Sequence, residues 1–449
     1  MKVSLRGRAL LGDFVHAPVR GEIEVLADHV IRIGDDGMIV SVGPAADGVP
    51  EGTLELPQGQ VVLPGFVDLH VHAPQYPQLG LALDEPLEVW LGKYTFPLEA
   101  RYADLDFARA AYGTLVSDLL AGGTTTALYF ATVHREATQL LAEICLAKGQ
   151  RGLVGKVVMD NPDTSPGYYR DETAEAAVAD TRAVIDRIRA LPGNDRVLPV
   201  ITPRFIPSCT DDALAGLGAL AQECGCHVQT HCSESDWAHG YALERYGQTD
   251  TAALDGFGLL TRKTVLAHSV FLTDADMDTV RDAGAGVAHC ALSNMYFANA
   301  VFPLRRALEK GVHVGLGTDI SGGPSASMFE ACRTTVQASR LLETGTDSDV
   351  PRETRGHPGT SIDMKTAFHL ATAGGGEALE LPIGLFRAGF HFDAIAIDPS
   401  AELGAIRLFG AQAVERIEQI LYGASRTNIA ATWVGGDQVS GTTLNSLLI

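Results

Sequence analysis

The sequence is short of cysteine, of cations and of long apolar runs. Seven cysteines occur in 449 residues, at positions 145, 209, 224, 226, 232, 290 and 332, irregularly spaced and without a Cys-x-x-Cys. That odd, sparse set excludes a disulfide framework and a paired-cysteine zinc module, and it suits a reduced, cytoplasmic setting. Cys224 and Cys226 form a Cys-x-Cys, which reads as two small residues at a helix end and a strand start. No stretch approaches the roughly 18 apolar residues of a membrane span. The basic start (Lys2, Arg6, Arg8) is followed by a segment that Gly12, Asp13 and His16 break, so no secretory signal is expected. Lysine and arginine number 34 against 55 aspartates and glutamates, a formal charge of −21. Such a surface repels phosphate backbones and anionic lipid, so neither nucleic acid nor membrane is expected as a partner, whereas a neutral small molecule meets no penalty. Also missing are His-Glu-x-x-His, a Walker loop, Gly-x-Gly-x-x-Gly, Gly-x-Ser-x-Gly, and the His-x-Glu with Pro-Cys-x-x-Cys of zinc nucleobase deaminases.

What is present points to an ordered α/β protein. Hydrophobic residues make up 46% and charged residues 20%, and the 48 glycines and 21 prolines are spread along the chain as turn formers. β-Branched runs at 30–33 and 38–42 flank Asp35-Asp36-Gly37, a hairpin signal. Similar runs at 392–397 and 431–434, with Gly435-Gly436-Asp437 as a turn, suggest that both chain ends join one small β-sandwich domain, 1–63 plus 376–449. Between them, from 64 to 375, short apolar strands alternate with amphipathic helices, at 66–70, 125–129, 153–159, 197–202, 226–230, 264–268, 286–290 and 313–317. That alternation predicts a (β/α)8 barrel of the TIM type. Val178, Ile185, Ile188 and Leu191 give one helix its apolar face before Pro192-Gly193 stops it. Thr210 caps the next, with Leu214, Leu217, Ala221 and Cys224 as its stripe and Gly225 as its end.

The chemistry concentrates at the predicted strand ends. In Phe66-Val67-Asp68-Leu69-His70-Val71-His72 the two imidazoles share one strand face, where one cation could take both. His231, His268 and Asp319 each follow an apolar run, and in a barrel such ends converge on one mouth. Glu234, three residues past His231, is placed to move a proton of a bound water.

These residues resemble the amidohydrolase superfamily: His-x-His, His, His and Asp on a barrel flanked by a composite β domain. Within it the chain is most similar to the guanine deaminase branch. The likeness is carried by Pro64–Asp68 through His70–Tyr76, by Trp90–Pro97 with Glu99 and Arg101-Tyr102, and by Gly315–Asp319 with Gly322-Gly323 and Ser327-Met328. Gly123–Ala127, Gly155–Val157 and Thr202–Phe205 add shorter matches. Two departures stand out: Cys290-Ala291-Leu292-Ser293-Asn294 lacks the proline usual after the cysteine, and Gly389-Phe390 replaces a usual Gly-Lys.

The resemblance implies one Zn2+ per chain, or Fe2+, held by His70, His72, His231 and Asp319. It implies hydrolysis of a guanine amine to xanthine and ammonia, a step of purine catabolism, with Glu234, Asp319 and His268 as catalytic groups. Gln75, Arg204, Phe205, His231 and His268 are the implied purine contacts, and a homodimer the implied particle. Another aminated heterocycle (8-oxoguanine, a pterin or a triazine) is the alternative substrate, and a ligand-free scaffold the alternative class. Lys156 is read as structural rather than as the carboxylated lysine of a two-metal site.

Overall fold

The computed structural model describes residues 3–298, 300–410 and 413–441. Runs of Val, Thr, Ile and Leu, buried on both faces, favour the extended chain and pair in sequence order. They form eight strands: Phe66–His72, Thr124–Phe130, Arg151–Val158, Leu198–Pro203, His227–Cys232, Thr264–His268, Gly286–His289 and His313–Leu316. Each pairs parallel with the next. The ring closes just past the eighth strand. Ile320 bridges Val71 in parallel, the Asp319 N–H donates to the His70 carbonyl at 2.9 Å, and the His72 N–H donates to the Ile320 carbonyl at 2.8 Å. The predicted barrel is therefore present, and its seam sets Asp319 against the His-x-His strand.

Asp68 fastens that seam from inside. Its buried carboxylate accepts from the Thr318 hydroxyl at 2.6 Å, the Thr318 N–H at 2.9 Å and the His70 N–H at 3.3 Å. Burial raises its pKa to about 7 against the pull of those donors. An unsatisfied buried polar group costs about 1–3 kcal/mol. Asp68→Ala is therefore expected to lower unfolding free energy by roughly 2–4 kcal/mol in a denaturant titration; an unchanged midpoint would remove Asp68 from the seam.

The helices coat the barrel as their stripes dictate. Thr173 caps Ala174–Arg189, which buries Ala177, Thr181, Val184, Ile185 and Ile188. Val178 sits at the edge of that stripe and is only half-buried, because Ala177 takes the central place. The Thr210 hydroxyl accepts from the Ala213 N–H to cap Asp211–Cys224, and Gly225 ends it at φ 59°.

Both chain ends share a second sheet. Ala9–His16, Glu24–Ile33, Ile39–Pro44, Leu54–Glu55 and Val61–Pro64 join Ala394–Ile397, Ile429–Val434 and Asp437–Gly441. The junction is the antiparallel pairing of Val61–Pro64 with Ala394–Ile397. Phe14, Ile31, Phe392 and Trp433 pack in its core. Buried Arg151, which opens the third barrel strand, pairs with Asp393 at 3.1 Å and ties this sheet to the strand's N-terminal end. All seven cysteines are free. Among the described residues no helix is long and apolar enough to cross a membrane.

Candidate metal and substrate site

Strand alternation carries His70 and His72 to the same side, and the seam brings Asp319 to them. Asp319 Oδ1 lies 3.1 Å from His70 Nε2 and 3.5 Å from His72 Nε2. The fifth strand adds His231, whose Nε2 is 2.9 Å from His72 Nε2. His231 Nδ1 sits 2.6 Å from the Arg204 carbonyl oxygen. That oxygen can only accept, so Nδ1 carries the hydrogen and Nε2 presents its lone pair to the cluster. Burial, first of all, and then the repulsion any added charge would meet from the adjoining imidazoles and Arg204 hold His70, His72 and His231 well below the usual imidazole pKa, so the rings are neutral. His70 Nε2 is buried without a hydrogen-bond partner among the described residues.

Such a set does not satisfy itself. Lone pairs and a carboxylate converge with too few hydrogens between them, an arrangement completed by a cation. A tetrahedral zinc ion about 2.0–2.2 Å from each nitrogen and oxygen would hold its ligand atoms about 3.3–3.6 Å apart. The 3.5 Å from Asp319 Oδ1 to His72 falls in that range, and the 3.1 Å to His70 and the 2.9 Å between His72 and His231 fall a few tenths of an ångström short of it. The residues fit one divalent first-row ion.

A second tier faces the cluster. His268 ends the sixth strand, with Nε2 3.6 Å from Glu234 Oε1 and 3.9 Å from Asp319 Oδ2. Its Nδ1 lies 2.9 Å from Asn294 Oδ1, which fixes Nε2 as the ring's acceptor. Burial and the nearby Asp319 charge raise the Glu234 pKa to about 8, against the pull of Arg204. Burial also raises Asp319. The chain is bent sharply here: Ser233, His268, Ser269 and Asp319 have φ of 49°, 68°, 57° and 51°. Left-handed conformations at residues with side chains are costly and gather where function demands a particular orientation.

The cavity beside the cluster encloses about 350 Å³ of non-atom space, partly open to solvent. His72, Gln75, Arg204, Phe205, His231, Glu234 and Asp319 line it with Leu87, Trp90, Leu91, Phe297 and Gly322. Gln75 comes from the turn Ala73–Gln78 that follows the first strand. Arg204 and Phe205 follow the fourth strand. Trp90 and Phe297, with ring centroids 5.2 Å apart, each adjoin or belong to a π-helical turn, Leu91–Thr95 and Asn294–Ala298. All the residues expected from the sequence thus gather in one place. Lys156 instead pairs with Asp171 at 2.6 Å, as a structural lysine would.

Trp90, Phe297, Asn294 and Glu99 have no role legible in the sequence alone, because each acts through a contact far along the chain. Gly317 is another. A Cβ there would fall 2.8 Å from His70 Cβ and 2.9 Å from Cys290 Sγ. Gly317→Ala is expected to push His70 out of place and weaken metal affinity about 10–100-fold in a chelator competition. Unchanged affinity would mean that the ring tolerates the shift.

The Amidohydrolase family model matches residues 61–439. Human guanine deaminase is 37% identical over 447 residues, covering 95% of each chain. A probable guanine deaminase of Schizosaccharomyces pombe is 36% identical over 450 residues, covering 96% of this chain and 83% of its own. Among solved structures, the guanine deaminase of C. acetobutylicum with guanine bound in its active site superposes with a TM-score of 0.86 at 29% identity. The match covers 96% of this chain and 99% of that one.

Proposed function

The chain belongs to the amidohydrolase family, and from that premise we propose that it hydrolyses guanine to xanthine and ammonia. One observation carries the reading: Glu234, Arg204 and Gln75 line the same cavity as the cluster of imidazoles and Asp319. Relatives that cover nearly the whole chain are guanine deaminases. His70, His72, His231 and Asp319 would hold one divalent ion, zinc before iron(II). Such an ion supplies Lewis acidity, bringing the pKa of water to about 7.

The remaining steps belong to the side chains. Phe205 packs on the purine face and Arg204 donates to O6. Glu234 takes a proton from the attacking water and delivers it to N3, which draws positive character onto C2. His268 Nε2 accepts from the water's other O–H and aims the oxygen at that carbon. Asp319 divides its work between two oxygens: Oδ1 faces His70 and His72, while Oδ2 faces His268. Oδ2 takes the second proton and passes it to the departing amine. Water adds at C2, the C2–N bond breaks, and ammonia leaves.

The test is ammonia release by the metal-loaded protein from guanine, adenine, 8-oxoguanine, a pterin and an aminotriazine. Guanine is expected to lead, with adenine lower by about 10³ or more in kcat/KM, because adenine has no amine at C2 to lose and its C6 amine offers no acceptor to Arg204. Faster turnover of another heterocycle would displace guanine, and no ammonia from any substrate would favour the scaffold reading. The same proposal places the enzyme in cytoplasmic purine catabolism as a homodimer, which sedimentation checks.

A further inference from the structure

Glu99 belongs to no ligand set and to none of the catalytic groups, yet it is completely buried against two residues that line the cavity. It stands on the short helix Phe96–Ala100. Oε1 accepts from Gln75 Nε2 at 2.9 Å and from Arg204 Nη2 at 3.3 Å, and Oε2 accepts from Arg204 Nη1 at 2.7 Å. Two of the five side chains expected to contact the purine are thus anchored to one carboxylate.

That anchoring has a directional consequence. A carboxylate oxygen only accepts, so the Gln75 amide must turn its NH2 toward Glu99. Its carbonyl oxygen is then left buried, without a hydrogen-bond partner among the described residues, on a residue that lines the cavity. The Arg204 contacts with Glu99 need one hydrogen from each terminal nitrogen, which leaves further N–H donors on the guanidinium. Since Gln75 and Arg204 bond the same Glu99 oxygen, they stand side by side. The wall therefore offers an acceptor next to a donor.

We propose that Glu99 is the positioning residue that sets this acceptor–donor pattern, and that the pattern selects heterocycles whose edge carries a ring N–H beside a carbonyl. It rests on the guanine reading above and narrows it to a lactam edge. Guanine shows N1–H beside C6=O. 2,6-Diaminopurine keeps the same C2 amine but reverses the edge, with an unprotonated N1 beside an exocyclic amine. That edge sets donor against donor at Arg204 and acceptor against acceptor at Gln75.

Glu99→Gln undoes the rule by one atom. The new amide can still accept from Arg204 through its carbonyl, while its NH2 donates to the Gln75 oxygen. The Gln75 amide then turns over and presents NH2 to the substrate. Steady-state ammonia release from guanine and from 2,6-diaminopurine, with metal content measured alongside, reads this out. The original protein should favour guanine by about 10³ or more in kcat/KM. In Glu99→Gln that preference should fall at least about tenfold with the bound metal unchanged, and Glu99→Asp should recover most of it. A purely structural Glu99 would lower both substrates together at constant ratio, and that result overturns the proposal. Should Glu99→Gln not fold, competition on the original protein decides: 2,6-diaminopurine binding as tightly as guanine overturns it, and weaker binding by about 10² or more supports it. No ammonia from guanine in the original protein would defeat the functional reading itself. Faster turnover of another lactam, such as 8-oxoguanine, would change the substrate and leave the role of Glu99 standing.

Discussion

Glu234→Gln is expected to keep its metal and to lose about 10³-fold in kcat on guanine, within the range that general acid–base transfer supplies. The side chain keeps its shape and its place in the cavity, but an amide can neither take a proton from water nor deliver one to N3. Because Glu234 is not one of the four residues expected to hold the ion, metal content should stay level. The pH profile adds a second reading. Only the ionised carboxylate can accept the proton, so kcat/KM should rise with pH as Glu234 ionises, and that limb should vanish in the variant. Burial and Asp319 push the group up to about 8, and a bound cation draws it back toward neutrality. Retained activity would take Glu234 out of the mechanism.

Asp319→Asn should be the more damaging change, with kcat lower by about 10⁴ or more and metal content reduced together. The residue combines two duties that no other side chain duplicates. Its Oδ1 is the anionic partner of His70 and His72, and its Oδ2 lies 3.9 Å from His268 Nε2. An amide weakens the first duty and abolishes the second. Excess zinc should therefore restore occupancy without restoring turnover. Full recovery on adding metal would mean that Asp319 serves only as a ligand.

The barrel and the convergence of the imidazoles on Asp319 were legible in the sequence for a physical reason. Strand alternation is a local rule, and His70-Val71-His72 states it in three residues. His231, His268 and Asp319 could be placed because each ends an apolar run and parallel barrels bring such ends together. Helix caps such as Thr210 were equally local, though Val178 shows the margin: an alanine one place earlier took the centre of the stripe. What escaped was non-local. The seam at Asp319 and Ile320 closes the barrel through residues beyond the last strand, held by Asp68 across 250 positions. Glu99 reaches Arg204 across 105 positions with no periodic signal on its short helix. Trp90 and Phe297 meet only once two distant irregular turns fold over the same mouth.

Anomalous diffraction at the zinc edge, on crystals of the purified protein, tests the shared-ion premise most directly. The account predicts one peak per chain, about 2.0–2.2 Å from Nε2 of His70, His72 and His231 and from Oδ1 of Asp319. A second peak beside Lys156, or none between the three imidazoles and Asp319, would contradict it.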